Sequence, residues 1–206
     1  MTNLPPIEFI FDFGSPNAYL AYQSLHALAA KHGTSVKLTP CLLGGIFKAT
    51  DNQSPMLAFN AIKGKLAYEA LERDRFVAKH GLTRFRINPH FPVNTLLAMR
   101  GMVAAQHLGV IEAYVPVVLA AMWEDGVKMD DPEIFVATLN ATGLDGVAIV
   151  EKSQDQIVKD ELAANTTQAV ERGVFGIPTF FIGEEMYFGK ERLGQMDEHL
   201  ATLAQG

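Results

Sequence analysis

A single cysteine, Cys41, is all the thiol this chain possesses. With no second cysteine there is no internal disulfide and no C-x-x-C pair, which excludes a disulfide scaffold and dithiol exchange. Charge is also scarce: charged residues make up 19% of the chain, against about 25% in an ordinary soluble protein. Lys and Arg number 17 against 23 Asp and Glu, for a net charge of −6. A chain that is not basic lacks the clustered cations that hold a phosphate backbone, so no nucleic-acid partner is expected. No stretch approaches the roughly 18–20 uncharged apolar residues of a membrane span. The opening segment MTNLPPIEF has neither a basic start nor a long apolar run, so an unanchored, cytoplasmic protein with no membrane partner is expected. The histidines show no H-x-x-x-H or H-x-x-E-H spacing, and no metal site is expected.

Apolar residues make up 49% of the 206, enough for a sizeable core, and the length suits one domain carrying an insertion. IEFIFDF (residues 7–13), bounded by Pro5-Pro6 and Gly14, reads as a buried strand. Ser15 as N-cap, Pro16 at the first helical position, apolar residues at Tyr19, Tyr22, Leu25 and Leu28, and Gly33 as a stop predict a helix from Pro16 to His32. VKLTPCLL (36–43), ended by Gly44-Gly45, predicts a second strand and so a βαβ opening. Helical periodicity then runs to Arg172, over Leu57–Lys79, Asn94–Leu108, a segment led by Pro116 to Glu124, Pro132–Asn140 and two more. GVFGIPTFFIG and EMYFG predict a hairpin around Glu184, followed by a helix from Glu191 to Leu203. The expected architecture is a mixed α/β sheet built from residues 1–54 and 173–206, with a helical subdomain, 55–172, inserted between them.

Two local patterns bear on chemistry. Ser15-Pro16 places a hydroxyl at the positive end of a helix, beside unpaired backbone N–H groups that stabilise an anion; the same residues also serve simply as a cap. Ile177-Pro178-Thr179, between glycines and a strand, suits a cis peptide that turns the Ile177 backbone toward an extended ligand; a trans proline opening the strand is the alternative. Cys41, Trp123 and the plentiful Phe and Met read as core. Asn88, His90 and Asn94, among Pro89 and Pro92, read as a rigid loop with Asn94 capping the next helix.

Taken in order, FIFDFGSPNAYLA, PCLLGGIFKATDN, NPHFPVNTL, VFGIPTFFIG and FGKERL resemble the 2-hydroxychromene-2-carboxylate isomerase family, relatives of kappa-class glutathione transferases. The resemblance spans nearly the whole chain. It implies a thioredoxin-like fold with a DsbA-like all-helical insertion, glutathione as cofactor, a homodimer, and a small aromatic acid as substrate. It further implies that Ser15, in the place of a nucleophilic cysteine, donates a hydrogen bond to the glutathione sulfur. By the same resemblance Asn52, Lys65, the Ile177-Pro178 backbone, Lys190 and Glu191 contact glutathione, Glu191 standing where relatives carry aspartate. Asn17 stands where relatives carry an aromatic residue. The expected activity is glutathione-dependent cis–trans isomerisation of a 2-hydroxychromene-2-carboxylate or o-hydroxybenzylidenepyruvate type acid. The alternatives are a kappa-like transferase or peroxidase and a non-catalytic peptide-binding module, for which the Pro178 edge would serve.

Overall fold

The computed structural model describes residues 4–205. Strand β1 (Ile7–Phe11) is followed by helix α1 (Pro16–Lys31) and strand β2 (Val36–Pro40), which lies parallel to β1. Near the other end of the chain, β3 (Thr179–Ile182) and β4 (Glu185–Phe188) form the expected hairpin, and β3 runs antiparallel to β1. The sheet order is therefore β2-β1-β3-β4. Its apolar alternation sets the core: Phe9 pairs with Phe180 across the ladder, and their rings lie 4.7 Å apart. Phe11 and Phe13 continue the row edge-to-face.

Helix α1 begins as its sequence dictates. The Ser15 Oγ accepts from Ala18 N at 3.2 Å, Pro16 occupies the first turn, and the chain leaves the helix at His32 before Gly33 in a left-handed conformation. Ser15 is thus in the N-cap position, with its backbone still extended.

The region after β2 departs from the pattern expected for it. β2 stops at Pro40, and Leu43–Ala49 forms helix α2, so Gly44 and Gly45 lie inside a helix rather than in a turn. The glycine at 45 answers a packing demand, since a Cβ there would meet the Thr166 side chain at 3.0 Å and that of Leu42 at 3.3 Å. Thr166 belongs to α9 (Gln156–Glu171), against which α2 packs.

The stretch Leu57–Lys79 is also not one helix. It divides into α3 (Pro55–Ala58) and α4 (Lys65–His80), parted at Gly64, whose φ of +84° suits only glycine. Next come α5 (Leu96–His107), α6 (Ile111–Trp123), α7 (Pro132–Asn140) and α8 (Gly146–Ser153), ahead of α9.

Pro116 lies inside α6 instead of opening it. The buried side chains Tyr114, Val115, Val118, Leu119 and Met122 hold that helix together across the missing N–H. The cap of α5 is Thr95, one residue later than expected, although Asn94 Oδ1 still accepts from Leu96 N at 3.0 Å. Asp131 caps α7 with Pro132 behind it, as the sequence indicates. After β4, a 3₁₀ turn (Lys190–Arg192) leads into α10 (Leu193–Leu203), so the final helix starts two residues late. Ile177-Pro178 is cis, as anticipated, and so is Phe91-Pro92, which was not. Among the described residues no helix is long and apolar enough to cross a membrane.

The two glycines of α2 make opposite predictions. Gly44 has open space around its Cβ position, so Gly44→Ala should raise the unfolding free energy by about 0.5–1 kcal/mol through helix propensity. Gly45→Val should lower it by about 1–3 kcal/mol by forcing α2 off α9. Urea denaturation of both variants against the parent reads the two signs.

Candidate active site at the start of helix α1

Ser15 is buried, 4% exposed, where the C-terminal end of β1 turns into α1. Its hydroxyl donates to the Ile177 carbonyl at 3.0 Å across 162 residues of sequence. The structure therefore brings together the two motifs singled out in the sequence, Ser15-Pro16 and Ile177-Pro178. The Ile177 N–H finds no acceptor among the described residues. A hydroxyl at the positive end of a 16-residue helix, beside a free backbone donor, is an environment that favours an anion.

The turn that carries Ser15 is pinned from three sides. Asp12, fully buried, accepts from Gly14 N through Oδ1 and from Leu43 N through Oδ2, both at 2.8 Å. The Thr95 side chain lies beside the same turn and helps to lower the pKa of that carboxyl. Trp123 Nε1 donates to the Phe13 carbonyl at 2.8 Å, so the buried tryptophan is an anchor as well as core. Ser15 N closes the turn on Asp12 O at 3.2 Å. Burial pushes the Asp12 carboxyl above its ordinary 3.8, and the bonds from Leu43 and Gly14, with the Thr95 side chain, pull against that rise.

Asp12 is the residue holding this turn that motif reading passed over. The signal was a lone carboxylate ending an apolar strand run, which a folded protein must partner.

The remaining sequence candidates lie apart from this turn. Lys190 is 3% exposed, ion-paired with the adjacent Glu191 and 5.3 Å from the centroid of the Phe76 ring. The pair is tied to the Pro178 turn through Gly189 N, which donates to the Pro178 carbonyl at 2.9 Å. It also lines a cavity of about 470 Å³ between α1, α4 and the start of α10, with Ser24, Arg75, Phe76 and Lys79.

Asn52 is exposed beyond α2, its amide donating to Thr50 Oγ1 at 3.0 Å. Lys65 opens α4, paired with Glu69 at 2.5 Å and 5.0 Å from the Phe59 ring centroid. That bond to Glu69 raises the Lys65 pKa. Neither Asn52 nor Lys65 bonds to Ser15, Ile177 or the Lys190–Glu191 pair. Cys41 is buried and its thiol is pushed up to about 12 by burial, with the Asp12 carboxylate adding to the shift, so it is no nucleophile near neutrality.

A DSBA-like thioredoxin domain matches residues 6–201. The chain belongs to that family. Among curated proteins, this DSBA-like chain is 29% identical to a 2-hydroxychromene-2-carboxylate isomerase of Pseudomonas putida, covering 97% of this chain and 96% of the relative. It is 27% identical to glutathione S-transferase kappa 1 of Caenorhabditis elegans, covering 93% and 89%. The solved structure of a selenomethionine 2-hydroxychromene-2-carboxylate isomerase superposes with a TM-score of 0.82 at 28% identity, covering 97% of this chain and 96% of that one. The mixed four-stranded sheet with its helical block is the thioredoxin fold of DsbA-type proteins.

Removing the Asp12 carboxylate orphans two backbone donors, so Asp12→Ala should cost about 1–3 kcal/mol for each. The pH dependence has a definite sign. A carboxyl whose pKa rises on folding binds its proton more tightly in the native state. Its contribution is therefore full below the unfolded value of 3.8 and is lost as pH rises through the folded value. Asp130 and Asp197, held below the usual range by Lys128 and Lys31 respectively, slope the other way. Chemical denaturation of Asp12→Asn across that pH range should show the downward component gone.

Proposed function

We propose that the protein is a glutathione-dependent isomerase of the 2-hydroxychromene-2-carboxylate type, acting on a small aromatic acid with a conjugated double bond. The observation that carries this reading is the buried Ser15 hydroxyl at the first turn of α1, held 3.0 Å from the Ile177 carbonyl in a chain with no second cysteine. A site shaped to favour an anion, without a resident thiol, suits an imported one. The residues present fit glutathione: a hydroxyl donor and a helix N-terminus for its sulfur, and at Ile177 a free N–H with an adjacent carbonyl for a peptide. The relatives named as isomerases and kappa transferases support the same reading.

Bound glutathione would supply a thiolate that adds reversibly to the conjugated bond and leaves after rotation, its electron pair returning to sulfur, so that nothing is consumed. Ser15 would hold that sulfur ionised by donating a hydrogen bond from its hydroxyl, the proton staying on Oγ, and the α1 N-terminus adds its positive end. Ile177 fixes the peptide in register through its backbone. Lys190 and Glu191, beside the cavity behind the Pro178 turn, serve the γ-glutamyl end, and Asn52 and Lys65 the remaining contacts. Residues 1–54 and 173–206 form the thioredoxin-like unit and 55–172 the insertion. A homodimer belongs to the same reading, with Met56, Leu57 and Ile62 exposed on and beside α3 for a second copy to cover.

A second reading, a kappa-like transferase, draws on the kappa relatives. Product analysis separates the two. The isomerase interconverts the chromene acid and its open-chain isomer with glutathione conserved, whereas a transferase conjugates chlorodinitrobenzene and leaves the chromene acid untouched. For Ser15→Ala, kcat should fall by about 10²-fold, the scale for losing one donor to a developing anion. KM for glutathione should change less. Equal effects on both constants would make Ser15 a binding contact only.

A further inference from the structure

Arg86 differs from the arginines near it in α4 and in the loop that follows. Arg73 is paired with Asp74, Arg75 with Glu72, and Arg84 with Glu124 and Asp125, whereas Arg86 holds no carboxylate among the described residues. Its backbone is fixed all the same, because Arg86 N donates to the Trp123 carbonyl at 2.8 Å at the end of α6. Arg86 lines a groove of about 280 Å³ with Arg73, Asp74, Val77, Phe85 and Ile87. None of these residues belongs to the Ser15 turn or the Pro178 turn, and none lines the cavity beside Lys190.

The groove has an apolar lining that is held in place. The Phe85 ring stacks on Tyr19 with centroids 5.5 Å apart and lies 6.3 Å from the Trp123 ring on another side. Ile87 is 43% exposed, a branched apolar side chain left in water beside two guanidinium groups. A guanidinium is a planar fork that matches a carboxylate, and a flat apolar surface takes a ring. We propose that this groove binds a small aromatic carboxylate, at a site separate from the start of α1. Its volume is near the lower end for ligand pockets, roughly 300 Å³, which suits one or two rings and not an extended peptide.

Asp74 opposes the ligand. Both Nε and Nη2 of Arg73 reach Asp74 Oδ1 at 3.3 Å, the long end of the range, and the Asp74 side chain is 69% exposed. An entering carboxylate therefore takes the Arg86 fork uncontested and competes with Asp74 for Arg73. Substitutions at 86 and 74 should consequently act in opposite directions, which a purely structural role for either residue does not produce.

The test is an amide NMR titration of the full chain with 2-naphthoate, and with 2-naphthamide as the same ring without the charge. Naphthoate should shift the amides of Val77, Phe85 and Ile87, and naphthamide should bind far more weakly. Arg86→Gln should weaken naphthoate by about three- to tenfold, and Asp74→Asn should tighten it by about twofold, the scale of partly exposed charge pairs. Both side chains are exposed, so neither substitution disturbs the core. Added salt should weaken the parent's binding as well.

If naphthoate shifts only amides around Ser15 and Ile177, or shifts none, the groove is no site. If the two probes bind the groove equally, or the two substitutions leave the affinity unchanged, recognition of a carboxylate is overturned. Glutathione binding enters none of these readings, so the proposed function stands or falls separately.

Discussion

The site depends on one buried carboxylate. Asp12 sits where β1 ends, and through its two oxygens it holds the amide of Gly14, in the Ser15 turn, and the amide of Leu43, at the start of α2. Thr95, the cap of α5, lies against the same turn at Gly14, so strand, first helix and helical block meet around one side chain. Placing a carboxylate in a fully buried position is unfavourable unless its oxygens are satisfied, and here a backbone amide satisfies each of them. The strength of that demand is what makes the junction specific.

Elements governed by nearby residues were legible in the sequence. The first strand, the Ser15-Pro16 helix start, the Asp131-Pro132 start of α7 and the hairpin around Glu184 all follow from caps, fixed φ angles and alternation. The thioredoxin-like fold with its DsbA-like helical block was legible as well, because five ordered motifs span the chain. What local rules missed was decided by tertiary packing. Gly44-Gly45 look like a stop, yet Gly45 is there so that α2 can approach Thr166. Pro116 looks like a helix start, yet a wholly apolar face carries α6 through it.

The site was legible only in part, for the same reason. Ser15, Ile177 and Pro178 stand in motifs whose geometry is local, and their meeting followed from the fold. Asp12 had no motif, and its partner at 43 is distant in sequence. Lys190 was read as a polar contact, but its ammonium is buried against Phe76 and paired with the Glu191 carboxylate beside it. Sequence shows that two charges are neighbours; it does not show that one of them lies under an aromatic ring.

The 162-residue span between Ser15 and Ile177 sets an order of events when the chain is made. A ribosome releases the Ser15 turn, α2 and most of the helical block long before the Pro178 turn emerges. Until then the first strand has only β2 beside it and an open edge where β3 belongs. The helices can form within their own segments, but the hydroxyl has no carbonyl to meet. Closing that loop covers the antiparallel edge and brings the Ser15 hydroxyl to the Ile177 carbonyl in one step. A chain cut short before the hairpin would leave that edge open and the Ser15 hydroxyl without its carbonyl, so the junction at the start of α1 is finished only when nearly the whole chain has been made.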